Sequence, residues 1–183
     1  MNNRHSLPVG IDWFIDKIQT AGFNKLSLKW PGINYEAYGR CYRNEKDKGY
    51  VAELYTAGGE YKDAYYDDTI DALSFFGISG QITQGMGAVA QIHWLFFINL
   101  DKVKPGDFRA DEEARRDVLD VIGLGLYGAT INSLELWKDN VLKEYPGTRR
   151  DNMVSVDMHP KHCFRINLTL NYNPTINCNK KLK

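Results

Sequence analysis

Between Gly87 and Lys102 the chain reads GAVAQIHWLFFINLDK, with Ile92, Trp94, Phe96, Ile98 and Leu100 on every second residue. Side chains two apart in extended backbone share a face, so these five form one apolar stripe. The alternate positions, Gln91, His93, Leu95, Phe97 and Asn99, are mixed rather than water-facing. A strand with one oily face and one half-oily face belongs in the middle of a sheet that is covered on both sides.

The flanking segments supply strands and cover. Gly10–Ala21 reads as a helix, with Ile11, Phe14, Ile18 and Ala21 on one buried face and Gly22 as its stop. Trp30-Pro31-Gly32 is a turn. Asn34–Tyr42 and Tyr50–Thr56 form a hairpin around the charged loop Arg43–Lys48, where Gly49 supplies a positive φ. Asp68 and Asp71 are placed to cap a short helical turn. Leu73–Thr83 reads as a bulged strand leading into the central one.

A second helix begins near Asp111. Its first turn is acidic, Asp111–Arg115 and Glu112–Arg116 pair along it, and Ala114, Val118, Val121 and Ile122 are buried. Asn132 and Glu135 then suggest the cap of a third helix, Asn132–Tyr145, with Leu134, Trp137 and Val141 on one face. Cys163–Tyr172 alternates cleanly and closes the sheet. The order predicts an α+β fold: a mostly antiparallel sheet with an N-terminal helix and two helices before the last strand. Residues 1–9 read as an arm, 10–172 as a single domain, and 173–183 as a polar, basic tail.

Composition narrows the function. In 183 residues Lys+Arg and Asp+Glu are both 23, a balance that argues against nucleic-acid binding by the chain as a whole. Cys41, Cys163 and Cys178 are an odd, widely spaced set with no CxxC, which predicts no disulfide framework and folding in a reducing cytoplasm. No segment has the apolar length of a signal peptide core or a membrane span, so a soluble chain is expected.

Motifs for chemistry are few. Gly123–Gly128, GLGLYG, is a literal G-x-G-x-x-G, and a nicotinamide-type nucleotide-binding enzyme would use Gly123, Gly125 and Gly128. The preceding VLDVI, however, continues in phase with the helix from Asp111, and no acidic residue ends a second strand some ~20 positions later. His159, His162 and Cys163 in HPKHC have the residue types of a metal site, but Pro160 disfavours the helix that would align them. His93 reads as a hydrogen-bonded core or interface residue. Asp67, Asp68 and Asp71 read as caps and solvated carboxylates rather than an acid/base cluster. No cofactor and no catalytic residue is assigned.

Charge is segregated along the chain. Glu53 to Asp71 holds six acids and one lysine, and Lys143 to Lys183 holds eight bases and three acids. A neutral chain with opposite patches is suited to stacking head to tail on copies of itself, and such a contact closes into a ring when the rotation is right. The candidate contact residues are Glu60, Asp63, Asp67 and Asp68 on one side and Arg149, Arg150, Lys161 and Arg165 on the other.

With this layout the chain resembles the tail-terminator and head-to-tail joining ring proteins of tailed bacteriophages. The resemblance lies in the leading helix Gly10–Ala21, the hairpin Asn34–Thr56, the strand Ala90–Leu100, the helix Asp111–Ile122 and the last strand Cys163–Tyr172. Most narrowly it resembles a neck ring protein of a short-tailed, crAss-like phage. The resemblance implies a non-enzymatic virion protein, made in the host cytoplasm, that forms a ring of six or twelve copies. Its partners would be itself and a neighbouring portal, adaptor or tail-tube protein. A small interaction module of another bacterial assembly is the further alternative.

Overall fold

The central strand does lie deep in a sheet. In the computed structural model, which describes residues 1–6, 8–46, 49–56, 61–84, 87–123, 126–147 and 159–174, it is β6, Gly87–Asn99. The other strands are β1 (Asn2–Asn3), β2 (Tyr35–Lys46), β3 (Gly49–Tyr55), β4 (Tyr61–Asp63), β5 (Ala72–Gln84), β7 (Ala129–Glu135) and β8 (Lys161–Tyr172). They form one sheet in the order β4-β3-β2-β5-β6-β8-β7, and β1 pairs with β2. Pairing is antiparallel except for β1 with β2 and β2 with β5. The fold is therefore α+β with a mostly antiparallel sheet, as the grouping of strands predicts.

Both faces of β6 are buried, each by a different layer. On one face α1 (Ile11–Lys29) and α3 (Ala110–Gly123) pack Ile15, Ile18, Leu26, Ala114, Val118 and Val121 onto Phe76, Trp94, Phe96, Phe164 and Ile166. The rings of Phe96 and Phe164 stack at 4.9 Å, and Phe76 stacks on Trp94 at 4.7 Å. On the other face Leu73, Phe75, Leu95 and Phe97 lie under Tyr66, Ile70, Val141, Leu142 and Tyr145. The half-oily stripe inferred from Leu95 and Phe97 is thus a second core. Each such side chain stabilises the fold by roughly 1.5–3 kcal/mol.

Helix α1 passes through Gly22 instead of stopping there. An ideal Cβ on Gly22 would lie 2.4 Å from Cη2 of Trp94, so this glycine is required by the close approach of helix and sheet. The first residues are docked in the sheet rather than projecting as an arm. Asn2 and Asn3 pair with Ala37 and Tyr38, Arg4 Nε donates to Asp16 at 2.7 Å, and Gln19 Nε2 donates to the carbonyl of Ala37 at 3.1 Å.

A buried carboxylate joins three helices. Asp117 of α3 accepts from the Trp30 indole N–H at 2.8 Å and from Lys29 at 3.0 Å, and pairs at 2.6 Å with Lys104, the residue that follows α2 (Leu100–Val103). Burial alone would raise its pKa, but the hydrogen bonds from Lys104, Lys29 and Trp30 hold it below the ordinary aspartate value. Replacing Asp117 with alanine strands a buried indole N–H and is expected to cost about 2–3 kcal/mol, the lysines being partly solvated. Asp117→Asn, which keeps an acceptor for the indole, should lose less than half of that in urea unfolding. Equal losses for the two variants would assign the effect to packing.

Three local expectations are corrected. The segment predicted as the helix Asn132–Tyr145 is instead the strand β7, followed by the short helix α4 (Lys138–Val141). The spacing of Leu134, Trp137 and Val141 imitates a helical face, yet Trp137 is 78% exposed while Val141 is buried. Pairing with the outer side of β8 decided the conformation over local periodicity. Asp68 and Asp71 cap no helical turn. Asp67 caps the turn at Thr69 through a 2.8 Å bond from its N–H, and Asp71 accepts the N–H of Asn34 at 2.8 Å. The hairpin strands run further than predicted, to Lys46, and Gly49 does take a positive φ of 100°.

Candidate subunit interface

The eight residues singled out by charge fall into three groups. Glu60, Arg149 and Arg150 lie outside the described residues. Asp63 receives Lys46 at 2.7 Å, beside Glu53, which also pairs with Lys46. Asp67 holds its own turn, and Asp68 pairs with Lys161 at 3.0 Å. One acid and one base expected to meet between subunits therefore meet within a chain, because the strand start at Lys161 lies beside the 66–70 segment. Lys161 Nζ also sits 5.3 Å from the centre of the Tyr66 ring.

Arg165 is the clearest departure from the charge-patch expectation. It is only 3% exposed, its guanidinium pairs with Glu144, and its Nε donates to Asn167 Oδ1 at 2.7 Å. A buried, paired guanidinium offers nothing to a neighbour. It fastens the segment around α4 onto the second face of the sheet, with Tyr145 filling the space beneath.

His93 lies in this second core and is fully buried. The expected hydrogen bond is missing: neither ring nitrogen has a partner among the described residues. Gly77 makes room for the ring, since an ideal Cβ there would lie 2.1 Å from His93 Nε2 and 2.3 Å from the Tyr145 hydroxyl. Burial, then the nearby charges of Arg165 and Lys143, push the imidazole pKa down to about 3. A neutral, enclosed imidazole of this kind has no route to a substrate and is part of the packing.

The remaining motifs fall in the following places. VLDVI is helix, Gly123 ends α3, and Gly128 at a φ of 81° leads into β7. A helix-turn-strand order is the reverse of what a dinucleotide fingerprint requires; Gly125 lies outside the described residues. His159 faces Asp101 at 3.3 Å and His162 faces Arg115 at 3.4 Å, and both line one cleft with Asp107 and Asp111. Among the described residues no group of three or more His, Cys, Asp or Glu is placed to hold a metal. Cys41 is a buried thiol whose pKa is raised by burial and by Glu53.

The surface carries signals that the charge pattern did not reveal. Phe108 is 97% exposed, Leu28 83%, Trp137 78% and Ile82 62%. Exposed apolar residues scattered singly are ordinary on a protein surface; Leu136 and Trp137, 41% and 78% exposed, are the adjacent pair among these. Leu136-Trp137, an adjacent apolar pair before Lys138-Asp139, was the available hint, obscured by its helical spacing. No described helix is long and apolar enough to cross a membrane. Neither the known family models nor the curated proteins include a match to this sequence.

Proposed function

We propose that this protein is a structural subunit of a homo-oligomeric ring in the neck or tail of a tailed bacteriophage, made in the host cytoplasm and working in the virion. The observation that carries the reading is a pairing of opposites. His93, Arg165 and Asp117 are buried and used in packing, whereas Trp137, Phe108, Leu28 and Ile82 are left outside. That distribution suits a part whose work is contact. The resemblance of its element order to that of tail-terminator and head-to-tail joining proteins supports it, and a portal, adaptor or tube protein would be the neighbour on a ring face.

Light scattering of the purified chain across a concentration range, with negative-stain images of the same sample, tests this. The expected result is a mass at a fixed multiple of 21.0 kDa together with rings of constant diameter. A closed twofold dimer, or a single-chain mass without rings at every concentration, overturns it.

A further inference from the structure

Strands β2, β4, β5 and β8 run one way and β3, β6 and β7 the other, by the pairings along the sheet. The edge strands β7 and β4 are therefore antiparallel to each other. They also sit at the same height. Leu134 pairs with Ile166, Ile166 with Trp94, Trp94 with Phe76 and Phe76 with Arg40. The next residue, Cys41, pairs with Leu54, and Leu54 with Lys62. Lys62, the middle of β4, is thus one residue from the row that ends in Leu134, and it shares a row with Ser133.

Charge is complementary across that gap. Lys62 is exposed and has no carboxylate partner among the described residues; its ammonium lies over the Tyr38 ring and 3.4 Å from Asn3 Oδ1. Glu135, two residues beyond Ser133 and on the same face, has no cationic partner among them and accepts only from Asn140 and Asn167 at 3.5 Å. Among the described residues strand β7 is paired on one side only, and it contains neither proline nor lysine, the usual means of blunting an edge. A bulge between Ile131 and Ser133 turns Asn132 onto Thr169 and Gln91 and leaves Ser133–Glu135 in register with β8.

We propose that the β7 edge of one copy pairs antiparallel with the β4 edge of the next, Lys62 opposite Ser133 and Glu135 reaching Lys62 diagonally across the seam. Diagonal neighbours in an antiparallel pair lie about 7–8 Å apart, within reach of these two side chains. Trp137, just beyond β7, and the half-exposed Tyr61 of β4 are covered at the same junction. The contact is heterologous and propagates around a ring. The choice of a second copy as the occupant rests on the ring reading above.

Cysteines at Ser133 and Lys62, in a chain carrying Cys178→Ser, test the seam directly. Within one chain the two positions are six strands apart, about 29 Å, too far for a disulfide. Oxidation at high protein concentration should give a ladder of covalent multimers on a non-reducing gel. Lys62→Glu and Glu135→Lys should each weaken association about tenfold, and the double reversal should regain most of it. Rings without a ladder overturn the seam and leave the ring reading standing. Dimers from the Ser133→Cys chain alone mean that β7 meets β7, which also overturns it. A single-chain mass with no ladder rejects the seam, while imaging decides the ring.

Discussion

Replacing Trp94 with alanine is expected to lower the unfolding free energy by about 4 kcal/mol, in the range of buried aromatic truncations. Trp94 is fully buried, stacks on Phe76, leans on Phe96 at 4.7 Å, and fills the contact with α1 at Gly22. The informative partner is Gly22→Ala. Helix propensity alone favours alanine by about 1 kcal/mol. A Cβ 2.4 Å from the indole, however, forces helix and sheet apart, and overpacking of this kind costs about 1–3 kcal/mol. In wild type Gly22→Ala should therefore destabilise. In the Trp94→Ala background the methyl enters the space vacated by the ring, and the sign should reverse. Urea unfolding of the four proteins gives the coupling. A Gly22→Ala penalty unchanged by the loss of Trp94 would show that the close approach does not explain the glycine.

Acid should unfold this protein partly through one side chain. Unfolded, His93 titrates near 6.5; folded, burial and then Arg165 and Lys143 bring it down to about 3. Between those values the unfolded chain holds one proton more than the folded chain, so stability rises with pH by about 1.4 kcal/mol per unit. The contribution is complete above pH 6.5 and is lost as pH falls toward 3. His93→Leu, similar in size and with no proton to take up, should remove that slope. Relative to wild type the variant should gain about 3 kcal/mol between pH 6.5 and pH 4, whatever the carboxylates add in both proteins. Parallel stability-pH curves for the two proteins would mean that His93 is hydrated or partnered in solution.

The fold is legible in the sequence where one strand or helix carries its own pattern. The alternation in β6 and β8 and the buried face of α3 each reflect a side-chain period that a packed core imposes on local sequence. The salt bridge from Arg115 to Asp111 at 3.0 Å follows from helical spacing. Arg116 turned to Glu113 instead of Glu112, because i, i+3 and i, i+4 partners compete on an exposed face.

The candidate site was less legible. Counting charges along the chain identified acidic and basic regions, but the fold joins Asp68 to Lys161 and encloses Arg165 with Glu144. Charge runs record what is near in sequence, and an ion pair needs only what is near in space. Lys62 and Glu135 gave no signal because each is an ordinary charge in its own segment. Their relation exists only across the width of the sheet.

The long central strand, its two covered faces and the α+β class follow from local pattern, since alternation over many residues favours one extended, doubly covered strand. Tertiary structure decided that residues 129–135 are a strand, that α1 continues through Gly22, and which strands form the edges. Those outcomes depend on partners distant in the chain: the outer side of β8, the indole of Trp94 and the parallel pairing of β2 with β5. Local propensities differ by less than about 1 kcal/mol per residue, so a contact worth several decides them.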